Sequence, residues 1–369
     1  MAYTTIDDPT KFFSTNLWVA DNASSRSLTG FGHQPDLVWT KHRGSGATNP
    51  AFTDSVRGGD KQLNTPTTAV EDAGSHGKIS SFDSDGITVI DGTNATYPRL
   101  YFNSLNPFGA SVGGNYVGWS WKAGTSFSND ASATGVGDID SSGSINTDSG
   151  LSIISYNGNN TSSAEIAHGL GTTPSMIIQK RRADSIASWR VWHNRIHATS
   201  GETNTLLLNT SAANASDSDN ISGVSSTTFT VRGAGGATNP NGSACIAYCF
   251  AEKKGYSKFG SYKGNGNTNG TFVYTGFRPA FMLVKKSSGT KNWYLWDSKR
   301  ASSNDGSDPQ LYANLANAED SAAYFDILSN GFKNRNTGVG NDSGGTYMYM
   351  AFAEHPFVTA GTKAAGTAR

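Results

Sequence analysis

The sequence predicts an all-β chain of three tandem β-sandwich repeats, jelly-roll or lectin-like, each of about 100 residues. The first observation behind this is a phrase that recurs three times. It reads Gly276-Phe-Arg-Pro279-Ala-Phe-Met-Leu-Val-Lys285 and then Trp293-Tyr-Leu-Trp296-Asp297-Ser-Lys-Arg300. Upstream it reads Gly169-Leu-Gly-Thr-Thr-Pro174-Ser-Met-Ile-Ile-Gln-Lys180 with Trp189-Arg-Val-Trp192-His193, and first Gly30-Phe-Gly-His-Gln-Pro35-Asp-Leu-Val-Trp-Thr-Lys41 with Phe52-Thr-Asp54-Ser-Val-Arg57. In each copy a lysine follows the proline by 6 positions, and Asp54, His193 and Asp297 follow that lysine by 13, 13 and 12. A period this regular marks a repeat architecture. The second observation is composition: 43 Gly, few charges and abundant Ser, Thr and Asn suit short strands and many turns. An aromatic content of 11% argues against disorder. The third is the absence of long runs of strong helix formers.

Residues 1–14 read as a leader or anchor, with Pro9 and Phe12-Phe13 available to dock on the first domain or on a partner. Repeat 1 covers 15–124 and opens at Leu17-Trp18-Val19. The runs Leu37-Val-Trp39, Met176-Ile-Ile178 and Phe281-Met-Leu-Val284 are expected as strands buried on both faces. The proline before each fits a strand's first position, where its missing N–H matters least. Asp85-Gly86 and Asn330-Gly331 mark tight turns. The repeats close on Tyr116-Val-Gly-Trp-Ser-Trp121, Cys245-Ile-Ala-Tyr-Cys-Phe250 and Tyr347-Met-Tyr-Met-Ala-Phe352. Repeat 1 alone carries an insertion at 91–110, with Tyr97 and Tyr101, and this is the expected functional loop. The Gly/Ser/Asp-rich stretch 125–149 reads as a linker. Repeat 2 spans 150–254 and repeat 3 spans 255–358, joined too closely to move independently; 359–369 reads as a C-terminal arm. The stretch from Leu311 to Ala323 suits either a helix or a strand and turn.

Charge and motifs exclude several classes of function. With 29 basic and 29 acidic residues and no basic stripe, a nucleic-acid partner is not expected. No apolar stretch approaches the ~18 residues that span a bilayer, so membrane insertion is not expected either. Cys245 and Cys249 lie four apart on an expected strand, roughly 13 Å, beyond disulfide reach. They read as free thiols in a reducing compartment. His193 and His197 have no metal-ligand context, and Asp138-Ile-Asp140-Ser-Ser-Gly143 resembles the start of a calcium loop but lacks its closing Glu. No metal, cofactor or catalytic constellation is expected, and the chain does not read as an enzyme. The Asp54/Arg57 and Asp297/Arg300 pairs read as turn-bracing, because His193 takes the carboxylate's place in the second copy. Trp189/Trp192 and Trp293/Trp296 are three apart, so on a strand their members face opposite sides. One of each pair is expected in a core and the other at a surface, where it would offer a platform for a sugar or a partner, or at an inter-domain joint.

The opening Met1-Ala-Tyr-Thr-Thr-Ile-Asp-Asp-Pro9, Asp54-Ser-Val-Arg57-Gly58, Tyr116-Val-Gly-Trp-Ser-Trp-Lys122, Cys249-Phe-Ala-Glu-Lys-Lys-Gly255, Lys258-Phe-Gly-Ser-Tyr262 and Tyr349-Met-Ala-Phe-Ala-Glu-His-Pro-Phe357 together carry a resemblance over nearly the whole chain. It resembles a family of uncharacterised repeat-domain proteins encoded by tailed bacteriophages of marine bacteria, cyanophages and their relatives. The resemblance implies a virion component assembled in the bacterial cytoplasm beside other virion proteins: a tail fibre, spike or head appendage. No catalytic residue carries over. The expected function is host-surface binding, on polysaccharide, by a homo-oligomer with a trimer favoured. The alternatives are capsid decoration without a receptor role and a lectin-like carbohydrate-active enzyme.

Overall fold

The computed structural model describes residues 4–44, 48–109, 113–200, 203–233, 236–301 and 303–356; the arm expected at 359–369 lies outside the described residues. The chain is all-β, built of antiparallel sheets with no closed barrel. The first block contains β1 (Phe13–Val19), β2 (Ser25–Thr29), β3 (Leu37–His42), β4 (Ala51–Asp54), β5 (Gly58–Asn64), β6 (Lys78–Asp83), β7 (Gly86–Ile90) and β8 (Asn115–Trp121). These form a five-stranded sheet, β1-β8-β3-β4-β5, and a three-stranded one, β2-β7-β6.

The second block contains β9 (Thr125–Asn129), the single-turn helix α1 (Ala131–Thr134), β10 (Ser141–Asn146), β11 (Leu151–Asn157), β12 (Ser163–Ala167), β13 (Met176–Arg181) and β14 (Arg190–His193). It continues with α2 (Asn194–Ser200), β15 (Asn204–Leu207), β16 (Ala215–Ser216), β17 (Ile221–Ser222), β18 (Thr228–Arg232) and β19 (Ala244–Phe250). Its sheets are β16-β15-β14-β13-β19-β11-β10-β9 and β12-β18-β17. The third block contains β20 (Ser257–Lys263), β21 (Phe272–Tyr274), β22 (Phe277–Lys286), β23 (Trp293–Asp297), β24 (Asp308–Tyr312), β25 (Asp320–Ala322), β26 (Phe325–Leu328), β27 (Gly331–Asn334) and β28 (Thr346–Pro356). Its sheets are β20-β28-β22-β23-β24-β25 and β21-β27-β26.

The period of two along each strand divides the apolar residues between two kinds of core. In β3, β13 and β22, Val38, Ile177, Met282 and Val284 face the small sheet of their own block, in three separate clusters. Their neighbours Leu37, Trp39, Met176, Ile178, Phe281 and Leu283 face the other way, into one central cluster shared by all three blocks. This two-sided burial is why the runs are continuously apolar rather than alternating. The turn at Asp85-Gly86 joins β6 to β7. Gly86 has φ 151°, and a Cβ there would lie 1.9 Å from the Leu28 carbonyl oxygen, so no side chain fits.

Several expectations need correction. The stretch 125–149 is not a free linker: β10 pairs with β11 on one side and β9 on the other. Its serines and glycine look linker-like because these strands lie at a sheet edge and bury little apolar surface. The first block packs on the third, where Trp39, Trp119 and Trp121 meet Phe281 in tilted and edge-on contacts. Pro35 and Pro174 precede their strands by two residues, whereas Pro279 lies inside β22 at a register shift that absorbs its missing N–H. The stretch from Leu311 holds the end of β24 and then β25, with no helix. In the leader, Ile6 is buried in the central cluster. Amides of β10, bonded on both sides, should exchange with deuterium as slowly as those of β11. Exchange of β10 at the rate of an unstructured chain would restore the linker.

Candidate functional site

The repeated signature residues meet at the joints between blocks. Asp54 ends β4, and its carboxylate accepts the Arg57 N–H at 2.8 Å, Arg57 Nε at 2.6 Å and the Tyr248 hydroxyl of the second block at 2.7 Å. Arg57 spends its other donors on the Phe52 carbonyl and on Glu71, which also receives Arg182 of the second block at 2.9 and 3.0 Å. Burial alone would loosen the Arg57 proton, but Asp54, Tyr248 and Glu71 reverse this and push its pKa up.

The third block repeats the geometry against the first. Arg300 Nε meets Asp297 at 2.6 Å, Trp119 Nε1 donates to Asp297 at 3.0 Å, and Glu319 joins Arg300 to Arg43. Burial would raise the Glu319 pKa, yet the two guanidiniums hold it down. Between the second and third blocks His193 stands in the carboxylate's place, with Nε2 donating to the Tyr349 carbonyl at 3.2 Å. Burial drops its pKa to about 4, so this joint rests on a neutral imidazole.

The lysines of the signature are buried beside the same joints. Lys41 Nζ donates to three carbonyls, His42, Thr48 and, across the joint, Ala316; Lys285 Nζ donates to Lys286 and, across the joint, Ser211. Lys180 Nζ donates to Arg181. Burial pulls their pKa values to about 7, 7 and 8 respectively. Trp189 and Trp293 donate their indole N–H groups to the Asn64 and Leu207 carbonyls of the preceding block. Trp192 and Trp296 lie in the outer clusters of their own blocks. All four are buried, which corrects the reading of a tryptophan in each pair as a surface platform. For Trp189 and Trp293 the neighbouring block thus supplies the acceptor that a buried indole N–H usually finds, whereas the Trp296 N–H in its outer cluster has none.

The insertion in the first block builds the cleft that best fits a binding role. Its base is fixed from within: Leu100, Tyr101, Phe102 and Asn103 are buried. Trp18 Nε1 donates to the Phe102 carbonyl at 2.7 Å, and Tyr116 Oη donates to that of Leu100 at 2.9 Å. Asn103 ties the loop to Asp21 and Ala23. On this base the Asn94 side chain accepts the Thr96 and Tyr97 N–H groups, and Asp91 holds Arg99 at 2.6 and 2.7 Å. The result is a cleft of about 370 Å³ lined by Tyr97, Arg99, Asn22, Ser104 and Asn106. At its rim Phe108 is 47% exposed and meets Tyr97 edge to face at 5.0 Å.

Of the sequence-predicted binding residues, only Tyr97 reaches this cleft; Tyr101 is buried beneath it, and burial raises its hydroxyl's pKa to about 12. Phe108, Arg99 and Asn106 lie in the insertion expected to be functional but were not singled out as binding residues, and Asn22 lies outside it. The signal for Phe108 was Asn106-Pro107-Phe108-Gly109, a turn-forming sequence that places the aromatic ring at a tip. Asp138 and Asp140 of the calcium-like stretch accept the Glu165 and Ala131 N–H groups, and no cluster suited to a metal occurs among the described residues.

No curated protein and no solved structure matches the chain. Residues 8–356, which take in every sheet above, match the model of a family described as a domain of unknown function (DUF7483), and the chain belongs to that family.

Proposed function

We propose that this chain is a bacteriophage virion protein, exposed on the particle as part of a tail fibre, spike or appendage, that binds host-surface polysaccharide in the cleft of the 91–109 loop. The three blocks are read as tandem β-sandwich repeats that form a threefold ring within one chain. The observation that carries the binding role is the Tyr97–Phe108 pair, held at the mouth of a cleft by a buried base, with Arg99 and Asn106 alongside. A sugar offers apolar C–H faces and hydroxyl edges, which an aromatic wall and a guanidinium or amide complement. Balanced charge and the resemblance to marine phage proteins support the particle setting.

On a glycan array, Tyr97→Ala and Phe108→Ala should each weaken the strongest signal about tenfold, roughly 1.4 kcal/mol, without moving the unfolding midpoint. An array without signal would remove the binding role. The second reading, capsid decoration, is favoured by the burial of all four paired tryptophans, which leaves the signature serving cohesion. Gold-labelled antibody on purified particles separates the two: label on the tail supports attachment, label over the head supports decoration, and bare particles remove both.

A further inference from the structure

Strands β1, β11 and β20 occupy equivalent places, each lying beside the closing strand of its block in one register. Phe13 faces Trp121, Leu151 faces Phe250 and Ser257 faces Phe352. The outer side of β11 is covered by β10 along six residue pairs, while β1 and β20 are the last strands of their sheets. An open edge invites another strand unless it is guarded by charge. β20 has Lys258 and Lys263; β1, Phe-Ser-Thr-Asn-Leu-Trp-Val, has no charge and exposes Leu17 at 42% and Val19 at 60%.

The Ala20 N–H donates to Gly114, and the Phe12 carbonyl accepts from Lys122. Even-numbered main-chain groups therefore turn toward β8, and by antiparallel alternation those of Thr15, Leu17 and Val19 turn outward, although the Val19 carbonyl already accepts from the Arg26 guanidinium at the far end of the strand. A cleft of about 360 Å³ runs along Phe13–Asn16, walled by Gly30–Gly32 on one side and by Lys299 and His355 of the third block on the other. Thr15 lines it at 6% exposure, and its hydroxyl has no partner.

We propose that this edge binds an extended segment of a partner protein, which adds to β1 as a further antiparallel strand. β10 shows the chemistry the segment needs. Ser144 lies opposite Ile153, the residue in Thr15's place, so a hydroxyl or amide at that position would satisfy the orphan Thr15 Oγ1. Gly143 lies opposite Ile154, which corresponds to Asn16, and a Cβ on Gly143 would sit 1.8 Å from the Ile153 carbonyl oxygen. The segment is thus uncharged, with glycine opposite Asn16 and a small polar side chain opposite Thr15. β1 has no glycine, so a second copy pairing through β1 does not meet this requirement.

The test titrates the capped, uncharged peptide of sequence 141–147, Ser-Ser-Gly-Ser-Ile-Asn-Thr, into the full ¹⁵N-labelled chain. Shifts of the Thr15, Leu17 and Val19 amides that saturate at millimolar peptide are expected. Gly143→Val in the peptide and Leu17→Pro in the chain should each weaken binding at least about tenfold. Proline is tolerated on an edge strand where its N–H would face solvent. If that variant fails to fold, the peptide substitution still decides. No shift along β1, or equal binding of the valine peptide, overturns the proposal. So does a dimer of the chain alone that Leu17→Pro dissolves, which would give the edge to a second copy.

Discussion

Replacing Arg57 or Arg300 by alanine is expected to destabilise the chain by about 3–5 kcal/mol, the scale for removing one partner of a buried ion pair. Both arginines and their aspartates have fully buried side chains. Without the guanidinium, Asp54 keeps the Tyr248 hydroxyl and backbone donors but loses its counter-charge in a site water does not reach. Glu71 and Glu319 would retain Arg182 and Arg43, so each joint would be weakened rather than severed. Lysine should not rescue either position, because a single ammonium cannot reach the aspartate, the glutamate and the strand carbonyl as the planar fork does. The comparison is Arg99→Ala, which breaks a half-exposed pair with Asp91 and should cost less than about 1 kcal/mol. Urea unfolding of the three variants measures all three effects. A loss below about 1 kcal/mol at Arg57 or Arg300 would mean that the joints do not depend on these charges.

The sequence made the all-β class and the strand positions legible because apolar runs and turn residues act locally. Leu37–Trp39 had to be a strand with two buried faces, whatever lay on either side. It did not reveal what the second face meets, because a central core shared by three blocks leaves no separate mark in any one of them. The tryptophans show the limit. Their spacing put one on each side of a strand, but only the fold shows that the side expected at a surface or a joint is a joint. The stretch 125–149 was misread for a related reason: edge strands that pair through backbone need few apolar side chains, so Ser141-Ser-Gly-Ser looks like linker. In the cleft, Tyr97 was found because the insertion itself was visible. Phe108 was missed because its exposure depends on a local turn with φ 53°, which aromatic content does not signal.

Phe281→Ala is expected to cost about 3–5 kcal/mol and to do so for the whole chain at once. The ring is fully buried, and its neighbours within aromatic-contact distance are Phe13, Trp39, Trp119 and Trp121 of the first block and Phe352 of the third. Removing it empties a volume that five large rings from two blocks cannot collapse to fill, since they are held on four hydrogen-bonded strands, β1, β3, β8 and β28. With an unfolding entropy near 2.1 cal/mol/K per residue, the melting temperature of a chain this long should fall by roughly 4–7 °C. The shape of the transition says more than its position. If the blocks shared only surface contacts, the variant would lower the third block's melting alone and split the calorimetric peak. Because the central faces of the large sheets have no solvent-compatible alternative, unfolding one block strips cover from the other two. A single peak, shifted as a unit, is therefore expected both for Phe281→Ala and for Phe229→Ala, which lies in the second block's outer cluster. Two resolved peaks in either variant would show that the blocks unfold independently and that the central cluster does not bind them into one cooperative structure.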